Sequence, residues 1–285
     1  FKNTTERLEH HEEAPSLKEC LHLLVTNRPL LMLFLGNIFF VIIKVSEQAS
    51  FYFAYDALFN AKYNGFLDIA KAPGSFLAGI FVPIIIERLG RKADSKKFYQ
   101  VCCVMGIVLN GLFALCTYNG IMNKGAGQSV SLLTGLMVIV FSAVVTFPLE
   151  FKNLMQKEME AETVDYVEWK TGKRVEGTML SIMSFTGKLE GTLSSFICLQ
   201  VLARTGYVEH TTDVSTLQNH STLLGLFLMT TVFPMVGYAL MLIPMHFYNI
   251  TGDSHRRMIK DIMARRAQAG EAAAQEAVAA EAKEG

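Results

Sequence analysis

Charge is scarce in this sequence. Only 18% of its 285 residues are Asp, Glu, Lys or Arg, and 51% are hydrophobic, whereas soluble domains carry about 25% charged residues. The net charge is zero, so no basic field exists to recruit nucleic acid. The five cysteines, Cys20, Cys102, Cys103, Cys116 and Cys198, show no paired spacing, which excludes a disulfide framework and a zinc site of ordinary pattern. Catalytic constellations are missing as well. There is no Gly-x-Ser-x-Gly, no P-loop and no dinucleotide fingerprint, and His10-His11-Glu12 is followed by no histidine at zincin spacing. An enzyme and a self-powered ATP-driven pump therefore have no residues to rest on, and no cofactor is expected.

Long apolar runs take the place of charge. Six are long enough to cross a bilayer, which takes about 20 residues: Pro29–Phe53, Gly65–Ile86, Phe98–Tyr118, Val130–Phe151, Gly177–Ala203 and Leu223–Phe247. They predict an all-α membrane protein with a six-helix bundle over 29–247. The flanks are a charged segment with a short surface helix (1–28) and a tail (248–285). In the first flank Ser16 and Glu19 form a capping-box pattern, and Pro29 suits the opening of the first span. In the tail, Met258, Ile259, Ile262 and Met263 share one face of an amphipathic, inner-leaflet helix. The Ala/Glu-rich stretch after Ala267 reads as disordered.

Of the 26 Lys and Arg residues, 20 fall in segments on one side of these spans, 3 on the other and 3 within spans. The positive-inside rule then places both termini in the cytoplasm of a multi-pass protein of the cell (inner) membrane. The chain begins at Phe1, in a polar segment, and is expected to be a fragment lacking an N-terminal part.

Two features carry charge into the apolar spans. Lys44 and Glu47 are three apart in the first span, where one helical face allows an intramembrane ion pair. Lys188 lies eleven residues past Gly177, about 16 Å into the fifth span. A charge at that depth costs at least ~2.5 kcal/mol, so Lys188, with Ser184 and Gly187 beside it, is the candidate for substrate binding or cation coupling. Just before it, Asp165, Tyr166, Glu168, Lys173, Arg174 and Glu176 form a charged loop, in which Gly172 can supply a turn with positive φ. These residues are the candidate cytoplasmic gate.

The stretch Asp165-Tyr166-x-Glu168-Trp169-Lys170-Thr171-Gly172-Lys173-Arg174-x-Glu176-Gly177, with Lys188 beyond it, resembles the signature of the glycoside–pentoside–hexuronide:cation symporter family of the major facilitator superfamily. The run Glu6–Leu31 is similar to that family's central loop entering its seventh helix. The resemblance covers nearly all of the chain and implies the C-terminal half of a twelve-helix major facilitator fold. It further implies Na⁺- or H⁺-coupled symport of a sugar or glycoside by alternating access, with the coupling carboxylates in the missing N-terminal half and Lys188 close to them. Two differences stand out. Glu162 replaces the Asp of some members, and Glu150–Glu160 is polar where the melibiose-transporting members are apolar and aromatic. The alternative reading is a self-contained six-helix membrane protein, a binding or channel subunit acting as a homodimer. The partners expected are a sugar, membrane lipid and the other half of the carrier, with no nucleic acid.

Overall fold

The computed structural model describes residues 17–60, 62–89, 94–124, 128–172, 175–209 and 217–284, with the backbone alone at 17, 82, 85–89 and 269–284. The described residues are helical, without strands. The helices are α1 (Leu17–Thr26), α2 (Arg28–Tyr52, extended by a π turn at Phe53–Ala57), α3 (Lys62–Leu89), α4 (Ser95–Met122), α5 (Leu132–Thr171), α6 (Glu176–Thr205), α7 (His220–Phe247) and α8 (Gly252–Glu284). A helix satisfies its own backbone within one segment, as a chain in hydrocarbon must.

Among the described residues four helices are long and apolar enough to cross a membrane: Arg28–Ala57, Ser95–Met122, Leu132–Thr171 and His220–Phe247. The expected second and fifth spans, α3 and α6, have matching lengths of 28 and 30 residues. Lys188 and Glu190 interrupt the apolar run of α6, and the apolar run of α3 includes positions whose side chains are not among those described.

Pro29 does stand at the start of α2, whose cap residue Asn27 has an extended backbone. The expected Ser16 cap lies outside the described residues, as do Lys173 and Arg174. Gly172 has φ +72° and its N–H donates to the Glu168 carbonyl, closing α5 in a left-handed cap.

The long helices follow one another in space as α3, α5, α4, α7, α2, α6, each packed on the next, while α2 and α5 meet only lightly across the middle. Small residues set the close approaches. A Cβ at Gly74 of α3 would lie 2.6 Å from the Ala143 carbonyl oxygen of α5, and one at Gly106 of α4 would lie 2.6 Å from the Tyr238 ring of α7. At the end away from α8, Lys124 reaches back to cap the π turn, donating to the Ala57 carbonyl at 2.5 Å. Burial lowers its ammonium pKa to about 8, with the Asp56 charge opposing.

Two sequence expectations are corrected. The charged stretch before Gly172 is not a loop. It is the last part of α5, which at 40 residues is about 60 Å long, twice the ~30 Å hydrocarbon core. The C-terminal helix does not end where the Ala/Glu stretch begins but continues to Glu284, in keeping with the high helix propensity of both residues.

Candidate functional site

Polar side chains gather in three places, and only part of that grouping follows the sequence expectations. The first is a buried network joining α2, α5 and α6. Asn37 and Phe40 of α2 face the residues Lys152, Gln156 and Glu160, which lie four apart on α5 and so share one face. Gln156 donates to Asn37 at 2.8 Å and to Glu160 at 3.1 Å. Lys152 donates to Gln156 at 3.4 Å.

Lys152 is 0% exposed, and its Nζ lies 3.7 Å from the centroid of the Phe40 ring. Among the described residues no carboxylate comes within 4.0 Å of it, so the ammonium rests on the aromatic face and the Gln156 amide oxygen, with Glu150, Glu160 and Glu190 acting from farther away. Phe40 also carries Lys44, whose Nζ is 5.7 Å from its centroid.

The expected Lys44–Glu47 pair is corrected here. Lys44 bridges to Glu190 of α6, Nζ to Oε2 at 3.3 Å. A long-range partner on a packed neighbouring helix, itself buried, gains more than a same-helix neighbour turned toward open space. Lys152, just past the expected fourth span, is likewise an interior residue. Gln156 and Glu190 were not singled out from sequence either. The four-residue spacing of 152, 156 and 160 was the available signal, hidden because the run looks like an exposed charged segment.

The second group lines a cavity of about 490 Å³ where α2, α3 and α5 face each other over a floor from α4 and α7. Glu47 and Ser46 come from α2, Asp68 and Lys71 from α3, Thr146 and Glu150 from α5, and Tyr238 from α7. Lys71 and Asp68 are joined at 3.0 Å. Glu150 accepts from Asn153 at 3.3 Å.

The third group ties the far end of α5 to α8. Asp165 accepts from His255 at 2.9 Å, Glu168 pairs with Arg266, and the Trp169 indole donates to Asp261 at 2.9 Å. Arg265 donates to the Trp169 carbonyl at 2.8 Å. The hydrogen bond to Asp165 raises the His255 pKa above its ordinary 6.5, against the opposing effect of burial. Nearby, Glu162 accepts from Ser95 of α4 at 2.8 Å and from Tyr248, after α7, at 3.3 Å.

Asp165 and Glu168, two of the expected gate residues, are therefore engaged by α8. Tyr166 lies tilted beside Trp169, centroids 6.3 Å apart, and Glu176 opens α6. Met258 and Ile262 of α8 are buried while Met263 is exposed. The apolar face expected to lie on lipid is thus partly covered by protein.

Lys188 joins none of these groups. The buried residues of α6, from Met179 through Thr186 and Glu190 to Leu202, recur every three or four positions and face α2. Lys188 and Ser184 sit on the other face, exposed, with Ser181 and Thr192 in the same stripe. A Cβ at Gly187 would meet nothing within 4 Å. The exposed Leu180 and Phe185 flank this stripe, so the surface is mixed, and the ammonium itself is the part unsuited to lipid.

Comparison with known proteins agrees with this architecture. The family model described as MFS/sugar transport protein matches residues 2–252. The chain is 25% identical over 267 residues to the uncharacterized symporter YjmB of Bacillus subtilis, covering 92% of this chain and 53% of that protein. It is 24% identical to the glucuronide carrier protein homolog of Escherichia coli, covering 92% and 53%. It is also 24% identical to the isoprimeverose transporter of Lactiplantibacillus pentosus, covering 94% and 52%. The chain spans about half the length of the relatives it matches. A helical bundle with apolar spans and this match over most of its length belongs to the MFS sugar-transport family, whose members are multi-pass membrane transporters and not enzymes.

Proposed function

We propose that this chain is the C-terminal half of a cation-coupled sugar carrier. In this reading α2 to α7 are six membrane spans, with both termini in the cytoplasm of the cell membrane. The observation that carries it is the polar cavity opening between α2, α3 and α5, in a chain that aligns with about half of each relative named above. Half-carriers that rock against each other around a midplane site expose such a surface on each half. The named substrates of two of those relatives, a glucuronide and isoprimeverose, make a sugar or glycoside the substrate class. Na⁺ or H⁺ is the coupling ion.

Within this reading Lys188, Ser184 and Gly187 face the other half, where the lysine approaches the coupling carboxylates and the sugar. The polar stripe through Ser181, Ser184, Lys188 and Thr192 on the exposed side of α6 supports that orientation. Asp165, Tyr166, Glu168 and Glu176, with Lys173 and Arg174, belong to the cytoplasmic gate, and the α5–α8 contacts make Asp165 and Glu168 its fixed side.

Coexpression with the N-terminal half of a family member tests the proposal. The two halves together restore uptake of a labelled glycoside in the presence of a Na⁺ or H⁺ gradient, and the chain alone does not. Uptake by the chain alone, or none with any partner half, refutes it.

A further inference from the structure

We infer that the cavity between α2, α3, α5 and α7 takes an uncharged, hydroxyl-rich sugar and turns away sugars bearing a carboxylate or sulfonate. This rests on the reading of the chain as part of a sugar carrier and concerns which sugars it admits. The charged side chains lining the cavity are Glu47, Asp68 and Glu150 against a single ammonium, Lys71. That ammonium is already held by Asp68 at 3.0 Å. The other lysines of the spans lie elsewhere: Lys44 is bound to Glu190, Lys152 stands on the Phe40 ring, Lys188 is on the exposed face of α6, and none of the three lines the cavity. Three carboxylates thus line the cavity against one ammonium, and Lys152 acts on Glu150 only from outside the lining. Glu150 accepts one hydrogen bond, from Asn153, and Glu47 has neither hydrogen bond nor ion pair among the described residues.

A separate observation points to a ligand. Tyr238 is 1% exposed and lines the cavity, yet its hydroxyl has no hydrogen-bond partner among the described residues. A Cβ at Gly106 would come within 2.6 Å of its ring, so the ring packs closely on α4. A phenol packed at the cavity wall beside two carboxylates is a preformed site for groups that both donate and accept. Vicinal sugar hydroxyls do both: they donate to Glu47 and Glu150 and accept from Tyr238. An anionic substituent in the same place meets two carboxylates across a medium of low dielectric, where like charges repel far more strongly than in water.

Competition for uptake tests the inference in cells expressing the native gene. Labelled methyl glucoside and methyl galactoside are each competed by the neutral glycoside and by the uronide of the same ring stereochemistry. The neutral member of each pair competes at least tenfold better. Glu150→Gln, which keeps the shape and removes the charge, narrows that ratio about tenfold. Glu47→Gln does the same and serves where the first variant fails to accumulate in the membrane. Tyr238→Phe weakens both members of a pair about tenfold and leaves the ratio unchanged. Uronides competing as well as their neutral partners overturn this inference alone. If neither glycosides nor uronides are taken up, the carrier reading falls and the inference with it.

Discussion

The ammonium of Lys152 stands 3.7 Å from the centre of the Phe40 ring, and the lysine is fully buried. A desolvated cation on an aromatic face is worth about 2 kcal/mol. Phe40→Leu therefore destabilises the protein by about that amount beyond its loss of packing. In a Lys152→Met background the same change costs only the packing part, since Met fills the space without a charge. Thermal unfolding of the two single variants and the double variant in detergent gives the coupling energy. A coupling near zero disproves the contact.

Lys44 and Glu190 form the other cross-helix charge contact, at 3.3 Å between α2 and α6. Glu190 is buried, and Lys44 keeps about a quarter of its side chain accessible. That exposure brings the effect of removing one partner below the 3–5 kcal/mol of a wholly buried pair, to roughly 1–3 kcal/mol. Lys44→Met should leave Glu190 as the costly survivor, and Lys44→Met/Glu190→Gln should recover most of the loss. A double variant no more stable than Lys44→Met would argue against a direct pair.

Docking of α8 on α5 should depend on pH through His255 and Asp165, 2.9 Å apart. The folded His255 pKa lies above its ordinary 6.5, chiefly because of the hydrogen bond to Asp165. A raised folded pKa means that the charged form stabilises the docked helix. The contribution is complete below about pH 6.5 and is lost as pH rises through the raised value. Hydrogen exchange over 252–266 should quicken across that range. His255→Gln should make the exchange independent of pH there, and an unchanged profile would remove His255 as the cause.

Lys188 offers a clean separation of stability from function. It is exposed on α6, so Lys188→Ala should shift the thermal midpoint by no more than about 0.5 kcal/mol equivalent. If it faces the other half of the carrier, coupled uptake by the complete carrier should nevertheless fall at least tenfold. Full coupled uptake by that variant would show that Lys188 belongs to neither the substrate site nor the coupling site.

Much of the architecture is legible in the sequence because lipid allows so few solutions. An apolar run of bilayer length has to be a helix, and Pro29 and Gly172 mark an entry and an exit through backbone geometry alone. The Lys71–Asp68 pair also follows from spacing, since residues three apart on a helix are neighbours. The motif from Asp165 to Gly177 carries the family, which the match over residues 2–252 bears out.

Partners contributed by other helices are not legible in this way. Three-residue spacing gives Lys44 to Glu47 as readily as it gives Lys71 to Asp68. Only the packing of α2 against α6 assigns Lys44 to Glu190 and leaves Glu47 facing the cavity. Likewise Lys152 reads as one more charge past the fourth span until α5 is found to continue as a single helix through Thr171 with 152, 156 and 160 turned inward. The sequence by itself determined the helices, the apolar spans and the family. Tertiary structure decided which charges are buried, which oppose one another and which face open space, because burial and Coulomb energy depend on distances between helices that local pattern does not contain.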